Sequence, residues 1–179
     1  SPGTTLDHTW NLNSIFDPDL SGTGFQPLGR DQYEVFYNRY RVLKCSIVLR
    51  VTPQVTALGT NLAYKVILNA DNSTSLVSNT KDTIEQPRAT VHVPMNGPTS
   101  SIVVKRAWNL WNITGVTRKE YDDDRFQALM SSNPTENIVL HVIAATAYGD
   151  TALAATDLNF NMTMSFTTEM FDPKTLAGS

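Results

Sequence analysis

The chain has 179 residues, enough for a single domain over 1–179 that buries roughly 70% of the surface its unfolded form exposes. A formal net charge of -3, with neither sign gathered in a long run, excludes chain-wide attraction to nucleic acid or an anionic membrane, so any polyanion must be held locally. The one cysteine, Cys45, excludes an intrachain disulfide, and no apolar run approaches the 18 or so residues of a bilayer span.

In chain order, residues 4–16 alternate, with Leu6, His8, Trp10 and Leu12 on one side and Asp7, Thr9 and Asn11 on the other, which predicts a strand. Gln26, Pro27, Leu28 and Gly29 read as a turn, and Asp31 with Glu34 reads as a capping box opening a helix. Tyr33, Phe36, Tyr37 and Tyr40 recur at i, i+3, i+4 and i+7, so a helical stripe of rings is expected to lie on apolar surface. From Arg41 the period becomes two. Leu43, Cys45, Ile47, Leu49 and Val51 then face one way and Lys44, Ser46, Arg50 and Thr52 the other, until Pro53 ends the strand.

Further strands are expected over 62–70, 88–94 and 101–108, with a short one over 110–116; a polar connection spans 71–87. Thr117 and Glu120 form a second capping box, with Tyr121 and Phe126 turned toward the body. Residues 137–148 are apolar on both faces, the mark of a central strand. Residues 157–167 alternate most cleanly: Leu158, Phe160, Met162, Met164 and Phe166 are expected in the core, and Asn159, Asn161, Thr163 and Ser165 outside. On that reading Phe160→Ala costs roughly 3–5 kcal/mol. Eight strands with short helices lodged in the connections exclude a doubly wound α/β fold and favour an all-β, eight-stranded antiparallel jelly-roll sandwich.

Catalytic chemistry has no support in the sequence, and the chain is read as a non-enzyme. His8, His92 and His141 sit singly in different strands without metal-ligand spacing, and neither a nucleophile elbow nor a phosphate loop is present. Asp122, Asp123 and Asp124 would suit Ca²⁺ at a subunit contact if a neighbour completed the oxygen shell, although a solvated face is the commoner use of such a run. Trp108 and Trp111 would suit a sugar-stacking platform, and more often serve as packing anchors. Arg39, Arg41, Lys44 and Arg50 are the nearest approach to a basic patch, read first as surface solubility.

One stretch carries a resemblance. Asp17-Pro18, then Gly24, Gln26, Pro27 and Gly29, then Asp31-Gln32, Tyr37, Tyr40 and Val42 leading into a long strand, resemble the capsid proteins of circovirus-like CRESS (circular Rep-encoding single-stranded DNA) viruses. A weaker likeness covers Phe126 to Pro134. The resemblance implies a jelly-roll subunit that self-assembles into a small icosahedral (T=1) shell enclosing a circular single-stranded DNA genome. Its location would be the virion, after assembly in the nucleus or cytoplasm of a host cell. Its partners would be its own copies, the DNA and a host receptor, with no membrane. In capsid lettering, 4–16 would be strand B, 41–52 C, 62–70 D, 88–94 E, 101–108 F, 110–116 G, 137–148 H and 156–170 I, in sheets BIDG and CHEF. No catalytic residue or cofactor is implied. DNA contact is expected at Asn159 and Asn161, helped by Lys65, with most phosphate neutralised by a basic arm upstream of Ser1. The alternative function is a monomeric carbohydrate-binding jelly roll using Trp108 and Trp111.

Overall fold

The computed structural model describes residues 6–21, 26–54, 63–75, 80–95, 100–146 and 158–175. Its strands are β1 (Leu6–Asn11), β2 (Tyr37–Pro53), β3 (Tyr64–Asp71), β4 (Ala89–His92), β5 (Ile102–Asn109), β6 (Ala128–Leu129), β7 (Val139–Thr146) and β8 (Leu158–Pro173). Sheet one runs β1-β7-β3-β4, antiparallel throughout. In sheet two, β8 pairs with β2 from end to end, while β5 and then β6 share the other edge of β2. The two inner faces enclose one core, in which Val42, Cys45, Ile47, Leu49 and Val51 of β2 meet Tyr64, Val66, Leu68, Leu140, Val142 and Ala144 of sheet one. This is the expected all-β jelly-roll sandwich of eight strands and short helices.

Strand lettering needs a shift of one place. Residues 4–16 and 156–170 were expected side by side, but β1 pairs with β7 and β8 with β2. The order β1-β7-β3-β4 reads as C-H-E-F, and β8, β2 and β5 then read as I, D and G. Periodicity reports which face of a strand is apolar and carries no information about its neighbour, so the letters could not have been assigned from it.

Three short helices punctuate the strands: α1 (Arg30–Glu34), α2 (Thr80–Ile84) and α3 (Leu110–Thr114). The strand expected over 110–116 is therefore α3. Leu110 and Ile113, one turn apart, are both buried, and Gly115 at φ 73° ends the helix in the left-handed conformation that glycine adopts without strain.

The cap expected at Asp31 also gives way. Gly29, at φ 87°, holds the N-cap position without a side-chain cap bond. Asp31 and Glu34 instead pair with the buried Arg30 guanidinium at 2.8 and 2.9 Å. A charge that is 7% exposed requires counter-charges more strongly than a five-residue helix requires a cap. Tyr37 and Tyr40 already belong to β2, so no four-ring helical stripe forms, and Tyr33 and Phe36 are 52% and 49% exposed.

A β-bulge between Val42 and Lys44 leaves Leu43 half-buried against the core and restores the inward row at Cys45. Burial pushes the Cys45 thiol up to about 12. Ellman's reagent should leave it untouched in the native chain at mildly alkaline pH and titrate it once denaturant is added; native reactivity would contradict the burial.

The second capping box is present as expected. Thr117 N–H donates to Glu120 Oε2 at 2.7 Å, Glu120 N–H donates to Thr117 Oγ1 at 3.2 Å, and the box opens a 3₁₀ turn over Glu120–Asp122. It turns Tyr121 inward, where the ring stacks on Phe126 at 4.4 Å and the hydroxyl donates to the Val42 carbonyl at 3.1 Å. β7, flanked by β1 and β3, is buried at every position, as its two-sided apolar pattern requires.

β8 departs from expectation in depth. Its inward row starts fully buried at Leu158, but Phe160, Met162, Met164 and Phe166 are only partly buried, because among the described residues no strand covers the outer edge of β8.

Candidate nucleic-acid interface

The solvent face of sheet two follows from the period of β2. With Cys45, Ile47, Leu49 and Val51 inward, Lys44, Ser46, Val48, Arg50 and Thr52 must point out. Register then fixes their neighbours. Lys44 lies between Asn109 and Thr167, Ser46 between Ala107 and Ser165, Val48 between Lys105 and Thr163, and Arg50 between Val103 and Asn161, with Asn159 opposite Thr52. No carboxylate occurs in these rows. Lys44, Arg50 and Lys105 are exposed, and among the described residues none is ion-paired. A shallow depression of about 350 Å³ runs over Ser46, Val48, Lys105, Ala107, Thr163 and Ser165.

The other cations of β2 are engaged. Arg39 pairs with Asp172 at 3.3 Å. Arg41, 7% exposed, donates to Asp122 Oδ1 and to the Asp122 carbonyl at 2.7 Å each, reaches Glu169 at 3.4 Å, and stacks over Phe171 at 4.8 Å. Arg118 bridges the same two carboxylates, so the 117–126 connection is pinned to β2 and β8 at one end of the open face. The hydrogen bond from Arg118, followed by the two guanidinium charges, holds the Asp122 carboxyl below its ordinary range. A lowered carboxylate contributes stability in full above its unfolded value and loses it as pH falls through the folded one. The connection should therefore loosen below about pH 4, read as a change in Trp111 fluorescence, since Trp111 packs edge-on to Tyr121. Asp122→Asn should abolish that acid transition; an unchanged titration would contradict the pinning.

Chemically, the face suits phosphate. Arginine and lysine carry charge at every physiological pH, and the flanking amides and hydroxyls hydrogen-bond a sugar-phosphate backbone without reading bases. It lacks an aromatic ring on which a base could stack.

Of the residues singled out in the sequence, Asn159 and Asn161 lie on this face, exposed. Lys65 does not: it sits half-buried on β3, in sheet one, opposite Ala145. Lys44 and Arg50, read as solubility, are the cations that register places beside the asparagines, and Lys105 was missed. Its signal was the outward phase of SIVVKRAW, but only the β2–β5 register makes it a neighbour of Lys44 and Arg50.

Asp123 caps the backbone N–H of Arg125 at 3.0 Å, Asp124 accepts from Gln127, and Asp122 is held by arginines. No group of three or more His, Cys, Asp or Glu able to hold a metal ion occurs among the described residues. Trp108 and Trp111 pack half-buried against the core, which removes the flat exposed platform a sugar would need.

No protein-family model matches the chain, and no curated protein is significantly similar to it. Solved structures similar to it include Desmodium yellow mottle tymovirus, 12% identical with a TM-score of 0.43 over 100% of this chain and 93% of that one. Another is a T=1 subviral particle of a Penaeus vannamei nodavirus capsid protein deletion mutant, 15% identical with a TM-score of 0.41 over 93% and 82%. A third is a semi-empty virus-like particle of Macrobrachium rosenbergii nodavirus, 14% identical with a TM-score of 0.44 over 98% and 96%. Likeness this distant carries neither family nor function across.

Proposed function

We propose that this chain is a viral coat subunit that self-assembles into a closed icosahedral shell, with the outer face of sheet two turned toward a packaged single-stranded genome. The observation that carries the reading is the asymmetry of the sandwich. One broad sheet face is cationic, polar and free of acids. Around α1, by contrast, Leu28, Tyr33, Val35 and Phe36 stand exposed at 105%, 52%, 57% and 49%, an apolar cluster suited to contacts between copies. The sequence resemblance favours single-stranded DNA as the cargo and an upstream basic arm as its main counter-charge, since a net-negative domain cannot neutralise a packed genome. Uptake by a host receptor completes the reading.

Analytical ultracentrifugation and electron microscopy of the purified chain provide the test. Particles of megadalton size are expected, with Val35→Asp/Phe36→Asp reducing them to folded subunits of 19.8 kDa. Nuclease treatment of opened particles distinguishes DNA from RNA cargo. A folded 19.8 kDa monomer under every assembly condition would overturn the proposal.

A further inference from the structure

Sheet one is four strands wide, whereas sheet two is three wide along most of β2, and the 16-residue β8 has no strand on its outer side among the described residues. An unpaired edge of that length leaves backbone donors and acceptors open, which natural sheets ordinarily cover or disrupt. Neither proline nor a bulge interrupts β8 from Leu158 to Thr167, and Glu169 is its first charge.

Three cavities, of about 310, 400 and 520 Å³, lie in a line beneath the edge. The first lies between Phe160 and Asp7, His8 and Trp10 of β1. The second lies between Met162, Met164 and Phe166 and the wall of Trp10, Pro18, Gln26 and Pro27. The third lies between Phe166 and Met170 and the wall of Ile15, Leu28, Arg30 and Tyr33. The groove therefore has an apolar floor, and its far wall is made of the same Pro18, Gln26 and Pro27 that mark the sequence.

We infer that this groove is the seat of an extended segment of the same polypeptide, lying N-terminal to Ser1 and pairing antiparallel with β8. Direction selects that occupant over a second copy. The cavity at the start of β8 is shared with Asp7 and His8, at the start of β1, while the cavity at its far end lies beyond the end of β1. A strand antiparallel to β8 thus finishes beside Leu6, where β1 begins, and the chain passes from one sheet to the other through a short connection. Covering Phe160 to Met170 takes about ten residues at roughly 3.3 Å each. Alternate residues of the segment must be apolar, to meet Phe160, Met162, Met164 and Phe166 from above. The inference stands without the coat-protein reading.

Methionine oxidation by hydrogen peroxide, followed by peptide mass spectrometry, tests it, because Met162, Met164 and Met170 are half-buried along the groove while Met95 is 97% exposed and serves as the internal control. The chain beginning at Ser1 is compared with the native polypeptide extended upstream by about twenty residues. The extension should slow oxidation of the three groove methionines several-fold, leave Met95 unchanged, and do so equally at all protein concentrations. A synthetic peptide of the upstream segment, added to the shorter chain, should reproduce the protection. Equal oxidation in both chains, with no effect of the peptide, would overturn the inference. Protection that grows with concentration in the shorter chain would assign the groove to a second copy, and would overturn it equally.

Discussion

Replacing Tyr121 with alanine should destabilise the fold by about 3–5 kcal/mol, the range for deleting a fully buried aromatic. The ring is 0% exposed, stacks on Phe126, and its hydroxyl satisfies the Val42 carbonyl within the core, so truncation leaves both a cavity and an orphaned acceptor. Phe160→Ala, by contrast, should cost less than half as much in the chain beginning at Ser1, because Phe160 lines an open groove. Urea denaturation of both variants checks the order, provided that both share the parent's m-value. If Phe160→Ala proved the more damaging, the groove would already be filled and the edge of β8 already covered.

The second large effect concerns cargo. Neutralising Lys44, Arg50 and Lys105 together with alanine should lower retention of single-stranded nucleic acid and flatten its salt dependence. Each phosphate contact contributes about 0.7 to the slope of log affinity against log salt, so three lost contacts lower it by about 2. Between 50 and 200 mM salt, a slope of about 2 is worth roughly 15- to 20-fold in affinity. Arg39→Ala and Arg41→Ala should not flatten the slope, because their guanidiniums are occupied by Asp172, Asp122 and Glu169. Filter binding across a salt series measures both. Equal slopes for the triple variant and the parent would remove the face from the account.

Local pattern made much of this legible, and long-range pairing made the rest invisible. Alternation at 43–53 and 157–167 identified inner and outer faces, because the pleat has a period of two whatever the neighbours are. Thr117 and Glu120 announced their capping box because its bonds close within four residues. The helix over Leu110–Thr114 was hidden by its length: five residues show barely more than one turn, and Gly115 was the only local sign that a helix ends there. Arg30 disguised the start of α1, since the carboxylates of Asp31 and Glu34 look like caps until the burial of that guanidinium is known. Register was the costliest omission. Nothing in the residues of β2, β5 or β8 states that Arg50 will lie beside Asn161, or Lys105 beside Val48, and the candidate interface consists of those adjacencies.

Ultraviolet crosslinking of the packaged nucleic acid, with the linked peptides identified by mass spectrometry, tests the central claim most directly. The account predicts crosslinks on β2, β5 and β8 within 44–52, 103–109 and 159–167, lost from the Lys44, Arg50 and Lys105 triple variant. Crosslinks confined to β3, β4 or the α1 surface, with sheet two unmarked, would contradict it.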